Sequence, residues 1–342
     1  YCFAAKGDFG TGRELMSLET GKKAIDFLIA NSGSRKNLEV DFFGGEPLMN
    51  FSVVKELVSY ARGFEESRNK NFRFTLTTNG LLLNDEITEY LNREMDNVVL
   101  SLDGRKEIND KLRVTPNGKG CYDTIVPKYQ KLVKERGTKN YYVRGTFTRE
   151  NFDFTADLMH LYELGFHELS IEPVVSDSNL SFALTEKDIE KAKAEYETLA
   201  LKILSLKKAG ESINFFHFMI DLDQGPCAIK RLRGCSCGNE YVAVTPNGDI
   251  YPCHQFVGMD DFKMGSLHDG SLNSEMKQFF STANIFNKKE CGRCWARFYC
   301  SGGCNANSHQ YAGDMFSPHV LSCELEKKRI ECAVMIKADL AN

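Results

Sequence analysis

The chain has 342 residues, 42% of them hydrophobic and 26% charged, with a formal net charge of −4. That is enough apolar material for a full core spread over about two domains, and the mildly acidic balance gives no reason to expect nucleic acid as a partner. No run approaches the ~18 apolar residues of a membrane helix, and the first 15 residues lack the basic-then-apolar layout of a secretion signal, so a reducing cytoplasm and no membrane partner are expected.

The chain opens at Tyr1-Cys2 without an initiator Met, which predicts a fragment whose true N-terminus lies upstream. Strands and helices then alternate. Leu38–Phe43, Phe72–Leu76, Val98–Leu102, Tyr141–Phe147 and Leu169–Ile171 are short β-branched or aromatic runs bounded by turn residues, and each reads as a strand. Between them apolar residues recur at helical spacing, as in Val53/Val54/Leu57/Val58, Ile87/Leu91 after a capping Asn84, Ile125/Tyr129/Leu132/Val133 and Leu158/Leu161/Tyr162. Successive strands are one helix and two connections apart, which predicts a parallel α/β sheet. The pattern leaves an open doubly wound sheet and a barrel as alternatives; either binds ligands at the carboxyl ends of its strands.

That rule selects the loops Gly44-Gly45-Glu46-Pro47, Thr77-Thr78-Asn79-Gly80, Asp103-Gly104 and Glu172-Pro173. A Gly-Gly pair lets backbone carbonyls approach a ligand, and with the Glu46 carboxylate they can take an ammonium group. Arg144, within the fourth strand, can clamp a carboxylate with both arms of its fork. Ser101 and Asp103 can meet sugar hydroxyls, although such residues at a strand end also serve as simple turn formers. Thr185-Glu186-Lys187-Asp188 reads as a capping box opening a long helix to about Gly210.

After this helix the character changes. From Gly225 onward there are ten cysteines and many glycines, and a domain boundary is expected near residue 226. The run C-G-R-C-W-A-R-F-Y-C-S-G-G-C places Cys291, Cys294, Cys300 and Cys304 at the spacing C-x2-C-x5-C-x3-C, with Gly292, Gly302 and Gly303 between them. Thiolates are soft ligands, so zinc and iron–sulfur are the two readings. Twelve cysteines in 342 residues fall below the roughly 8–10% of disulfide scaffolds. Tyr241–Tyr251 reads as a hairpin around Pro246-Asn247-Gly248, which brings Cys235 or Cys237 near Cys253 and makes a second thiol group. Zinc ribbons also pair thiols on hairpins, so spacing alone does not separate the two metals.

The order Cys235, Gly248, Cys253, then Cys291, Cys294, Cys300, Cys304, then Cys323 resembles the SPASM extension of radical S-adenosylmethionine enzymes. The resemblance implies two auxiliary [4Fe–4S] clusters: one on Cys291, Cys294, Cys300 and Cys323, the other on Cys235, Cys253 and Cys304 with Cys227 as fourth ligand. Cys237 is a spare that can substitute; without Cys227 an iron stays open to a substrate thiolate. Cys121 and Cys332 read as buried thiols. The N-terminal part resembles the radical S-adenosylmethionine core, a partial (β/α)6 barrel whose first strand is missing from this chain. Gly44, Gly45, Glu46 and Pro47 match its cofactor loop, Arg144 a basic position reaching the cofactor, and Ser101 and Asp103 positions near ribose or substrate. Cys2 matches the last ligand of the radical-site cluster, whose other two thiols lie outside the chain.

The implied organisation is a core over 1–184, a connecting helix and linker over 185–225, and a SPASM domain over 226–342. Phrases such as Tyr251-Pro252-Cys253-His254-Gln255-Phe256-Val257-Gly258 are most similar to maturases of six-cysteine (SCIFF-type) peptides. The implied activity is hydrogen abstraction from a Cys-rich precursor peptide and formation of Cys thioether crosslinks, with S-adenosylmethionine and [4Fe–4S] clusters as cofactors and ferredoxin or flavodoxin as low-potential electron donor. Two rivals are a formylglycine-forming sulfatase maturase and, in a different class, a zinc-binding or electron-carrier module without turnover.

Overall fold

A computed structural model describes residues 1, 9, 12–222 and 227–341; Cys2 lies outside them. Six parallel strands form one sheet in the order β1 to β6: β1 (Asn37–Phe42), β2 (Asn71–Thr78), β3 (Asn97–Ser101), β4 (Asn140–Phe147), β5 (Glu168–Pro173) and β6 (Asn214–Phe215). The first five are the expected strands. β6 is an addition, a two-residue strand from the segment assigned to the linker. Because the order never reverses, every right-handed crossover lands on the same side of the sheet, and there is no switch point as in a doubly wound fold.

Alternation decides which face is which. Along β2, Phe72, Phe74, Leu76 and Thr78 are buried while Arg73, Thr75 and Thr77 are not; along β4, Tyr141, Val143, Gly145 and Phe147 are buried and Tyr142, Arg144 and Thr146 are not. The apolar face packs under the helices α1 (Leu18–Asn31), α2 (Phe51–Arg62), α3 (Asp85–Glu94), α4 (Tyr122–Arg136) and α5 (Phe154–Glu163) in one continuous core. The other face is polar. Gly145 inside β4 answers a close approach: a Cβ there would sit 2.7 Å from the Leu102 carbonyl oxygen.

Thr185 and Asp188 form the expected capping box, and a single 3-10 turn leads into α6 (Ile189–Lys208). The C-terminal part holds a four-stranded antiparallel sheet that includes β7 (Ala243–Val244) and β8 (Asp249–Tyr251), joined by the expected turn with Gly248 at φ 86°. The last helix, α7 (Val320–Leu340), leaves that part and packs back on α6. Its Leu321, Leu325, Cys332 and Ile336 join the core of the first sheet.

α7 also delivers a buried charge to the carboxyl end of β5. Arg329 donates to the Tyr196 hydroxyl at 2.7 and 2.9 Å and stands 3.6 Å from Glu172, which also lies 3.4 Å from His217 and 3.9 Å from Arg144. Burial alone pushes the Glu172 carboxyl up, but His217, Arg329 and Arg144 outweigh it and bring it to about 2. Burial and the Arg329 charge hold His217 down to about 3, so near neutrality His217 is uncharged and the two arginines keep the carboxylate ionised.

Arg329→Met is expected to lower the unfolding free energy by roughly 2–4 kcal/mol in urea titrations, less than for a fully stranded charge because Arg144 still faces Glu172. An unchanged midpoint at unchanged slope would show that the pair carries no stability. Both pKa values are depressed on folding, so in acid the unfolded chain binds more protons and stability rises with pH. The His217 share is lost as pH falls from 6.5 toward 3, and the Glu172 share from 4.5 toward 2. His217→Gln should therefore shrink the loss of stability between pH 6.5 and 4.5, measured by urea titrations across that range.

Candidate functional site

The loops at the carboxyl ends of the strands are cross-braced by buried polar side chains. In the first loop Gly44 has φ 143° and, among the described residues, no atom within 4 Å of where a Cβ would stand, which leaves its backbone open to approach from them. Glu46 caps the turn Pro47–Asn50: its Oε1 accepts from the Leu48 N–H at 3.1 Å and the Thr78 hydroxyl at 2.9 Å, and its Oε2 from the Asn79 N–H at 2.7 Å. The carboxylate expected to meet a ligand ammonium thus joins the first loop to the second, and burial raises its pKa. The second loop joins the third through Tyr129, whose hydroxyl bridges the carbonyls of Thr78 (3.3 Å) and Ser101 (3.2 Å). Gly80, at φ 78°, makes room for that ring, which would lie 2.4 Å from a Cβ.

Asp103 joins the third loop to β4. It is fully buried and receives the Arg113 fork at 2.8 and 3.0 Å, the Tyr1 hydroxyl at 2.6 Å and the Thr146 N–H at 2.9 Å. A carboxylate holding four donors has little capacity left for a sugar hydroxyl. Ser101 is half-buried at the end of β3, and Arg144 keeps nearly half its side chain exposed on the polar face. The sequence reading placed Tyr129 only on an apolar helix face and did not single out Arg113 or Arg329, because their partners are distant in the chain.

The cysteine-bearing part closes over this polar face. The rings of Phe43 and His254 lie 5.1 Å apart, Tyr241 and His254 share a 3.0 Å hydrogen bond, and Arg35 pairs with Glu240 at 2.6 Å. Burial and then the Arg144 charge lower His254 to about 4. Burial raises Tyr241, which also feels Asp41 on one side and Cys253, Cys235 and Cys237 on the other. These two side chains link the sheet to the first thiol group.

All eleven cysteines among the described residues are free thiols. The structure brings Cys235, Cys237, Cys253 and Cys304 together. Cys235 and Cys237 share a hydrogen bond, Cys253 senses the charge of Cys304 and Cys235, and Asn305 donates to the Cys237 sulfur at 3.3 Å. Cys291, Cys294, Cys300 and Cys323 form a second group: Cys323 senses Cys291 and Cys294, and Cys300 senses Cys323. Cys227 stands exposed at the start of the short helix Ala228–Arg233. Between Cys300 and Cys304 the residues Ser301, Gly302 and Gly303 have φ of 59°, 86° and 68°, and this left-handed run sends the two sulfurs to different groups.

Burial, and then neighbouring charges that include thiols, push Cys253 and Cys300 up to about 12 and Cys323 to about 11. Buried sulfurs that repel one another's thiolate forms are relieved by a soft cationic centre, so the donor set fits an iron–sulfur group. Among the described residues, no three His, Cys, Asp or Glu side chains close tightly enough to hold a single metal ion.

Residues 1–126 match a 4Fe-4S single cluster domain family, and residues 235–295 match the SPASM iron-sulfur cluster-binding domain. The cysteine-type anaerobic sulfatase-maturating enzyme of Clostridium novyi is 25% identical over 90% of this chain and 84% of its own length. The radical SAM cyclopropyl synthase TigE of Paramaledivibacter caminithermalis is 24% identical over 90% of this chain and 62% of its own. In fold, the chain matches native anSMEcpe with bound AdoMet and Kp18Cys peptide at a TM-score of 0.77 and 20% identity, over 96% of this chain and 91% of that one. Streptococcus suis SuiB matches at 0.57 and 17% identity, over 91% and 72%. Two cluster-binding domains in this order, on a parallel sheet shared with such maturases, place the chain among the radical S-adenosylmethionine enzymes with a SPASM extension, a family of sulfatase and peptide maturases that use S-adenosylmethionine and [4Fe–4S] clusters.

Proposed function

We propose that this enzyme matures a Cys-rich precursor peptide by removing hydrogen from a peptide carbon and joining that carbon to a Cys sulfur as a thioether. One observation supports the reading: Tyr241, hydrogen-bonded to His254, is near enough to feel both Asp41 of the sheet and Cys253, Cys235 and Cys237, so the first thiol group adjoins the sheet face proposed to take the peptide. S-adenosylmethionine on a reduced [4Fe–4S] centre supplies a carbon radical able to take a hydrogen atom from the peptide. The chain's own residues do the positioning. The Gly44 and Gly45 backbone takes the methionyl ammonium, Arg144 its carboxylate, and Ser101 faces the ribose. Pro47, Glu46 and Asp103 fix the loops that carry them, since catalytic geometry depends on a rigid supporting shell.

In this reading Cys2 is the remaining ligand of the radical-site cluster. Cys291, Cys294, Cys300 and Cys323 hold one auxiliary cluster, and Cys235, Cys253 and Cys304 the other. Residues 1–184 form the core and 226–342 the extension, joined by 185–225. A low-potential donor of the ferredoxin or flavodoxin type in the cytoplasm supplies electrons.

A second reading, formylglycine formation in a sulfatase, is favoured by the place of Cys237. It lies inside the first thiol group, where a fourth protein sulfur leaves no iron for a substrate thiolate. Anaerobic incubation of the complete enzyme with Cys-rich peptide is expected to lower the peptide mass by two hydrogens per crosslink without hydrazide reactivity. A hydrazide-reactive aldehyde instead would establish the second reading. Cys237→Ala is expected to keep its iron and sulfide; loss of about four irons per chain would make Cys237 a cluster ligand and count against the thioether.

A further inference from the structure

Lys288 is a buried cation that the activity described above leaves without a role. Only 4% of its surface is exposed, and it precedes Cys291 by one turn. Its Nζ donates to the Gly302 carbonyl at 2.7 Å, inside the left-handed run between Cys300 and Cys304. Its stem lies along Gly302, where a Cβ would stand 3.2 Å from the Lys288 Cδ. A neutral carbonyl satisfies one of three N–H groups and none of the charge. Cysteine sulfurs of both groups face Lys288: Cys291 and Cys300 from one thiol group, Cys304 and Cys237 from the other. Cys235 and Cys323 feel it in return, again one from each group.

Of the nearby cations, Lys327 pairs with Glu324 and also faces Cys294 and Cys323, both of the second thiol group, Lys289 bonds Ser317 and faces Asp314, and Arg297 bonds the Cys294 carbonyl and lies over the Phe298 ring. Among the described residues the other buried lysine, Lys70, is held by two carbonyls, those of Gly33 and Arg35 at 2.7 and 2.8 Å. An ammonium removed from water without a carboxylate is costly unless a negative body faces it. Two anionic iron–sulfur centres, one on each thiol group, would supply that body.

We infer that Lys288 is the shared counter-ion of the two auxiliary centres, a fixed positive charge between them that raises the reduction potential of both. Reduction adds negative charge to a cluster, and a cation close to its sulfurs favours the reduced form. Placed between two centres, one cation acts on both. The inference rests on the reading of the two thiol groups as cluster sites, and it is a statement about Lys288 that the identity of the peptide product does not alter.

The test compares wild type, Lys288→Gln and Lys288→Arg of the complete protein, reconstituted anaerobically in a Cys2→Ala background so that signals come from the C-terminal thiols. Iron and sulfide per chain and midpoint potentials from titrations followed by electron paramagnetic resonance are read. Gln can keep the bond to Gly302 without the charge; Arg keeps both. The expected result is unchanged iron in Lys288→Gln with both midpoints shifted to more negative potential, and near wild-type midpoints in Lys288→Arg. Loss of iron in the Gln variant alone would equally support the counter-ion. Unmoved midpoints at unchanged iron, a shift confined to one centre, or equal loss of iron from the Gln and Arg variants would overturn it. A wild-type protein that binds no iron or sulfide would remove the cluster reading as well, whereas the other failures defeat the Lys288 inference alone.

Discussion

Carboxylates that each collect several donors, Glu46 three and the fully buried Asp103 four, hold the working end of this sheet together. A parallel sheet in sequential order ends in separate loops, each free to move unless something crosses between them. Glu46 crosses from the first loop to the second, Tyr129 from the second to the third, and Asp103 from the third to β4. An ionised carboxylate in such a place is stable only while its oxygens stay occupied, so each brace permits one arrangement of the loops it joins. The same bonds explain why two residues of ligand-like character serve as framework while Gly44 and Arg144 remain accessible to what binds.

The C-terminal helix extends that framework into the cysteine-bearing part. α7 carries Cys323 near its start and Arg329 in its middle, so one rigid element bears a sulfur of the second thiol group and the cation held against Glu172 beside Arg144. Since α7 packs on α6 and within the first core, the thiol-rich region is fixed to the sheet at its far end as well as through Phe43, Tyr241 and His254. The region has a small core of its own, in which Phe256, Phe280, Ala283, Ala306 and Met315 are buried around Cys237 and Cys253, and α7 joins it to the larger core of the first sheet.

What was legible in the sequence is what short-range rules govern. Short β-branched and aromatic runs bounded by turn residues gave the five main strands, Pro246-Asn247-Gly248 gave the hairpin, and Thr185 to Asp188 gave the start of α6. The long-range partners were not legible. Tyr196 and Arg329 are 133 residues apart and Tyr1 and Asp103 are 102 apart, and nothing local marks an arginine on a charged helix as one that will be buried. β6 was missed because a two-residue strand has no period. The sequence also could not tell a carboxylate that waits for a ligand from one committed to the backbone, because Glu46 and Asp103 have the composition of both.

The cysteines illustrate the same limit in a different form. Spacing identifies a set of sulfurs but not how the chain divides them, since Cys300 and Cys304 belong to one motif in sequence and to two groups in space. The division is made by three consecutive residues in the left-handed region, Ser301, Gly302 and Gly303, of which two are glycine for the ordinary steric reason. The turn that separates the groups also exposes the Gly302 carbonyl to Lys288, so the device that sends Cys304 away from Cys300 places a positive charge in the gap it opens. Separation and charge balance therefore come from a single local geometry. A side chain at Gly302 would disturb both, by straining a backbone at φ 86° and by crowding the lysine stem at 3.2 Å.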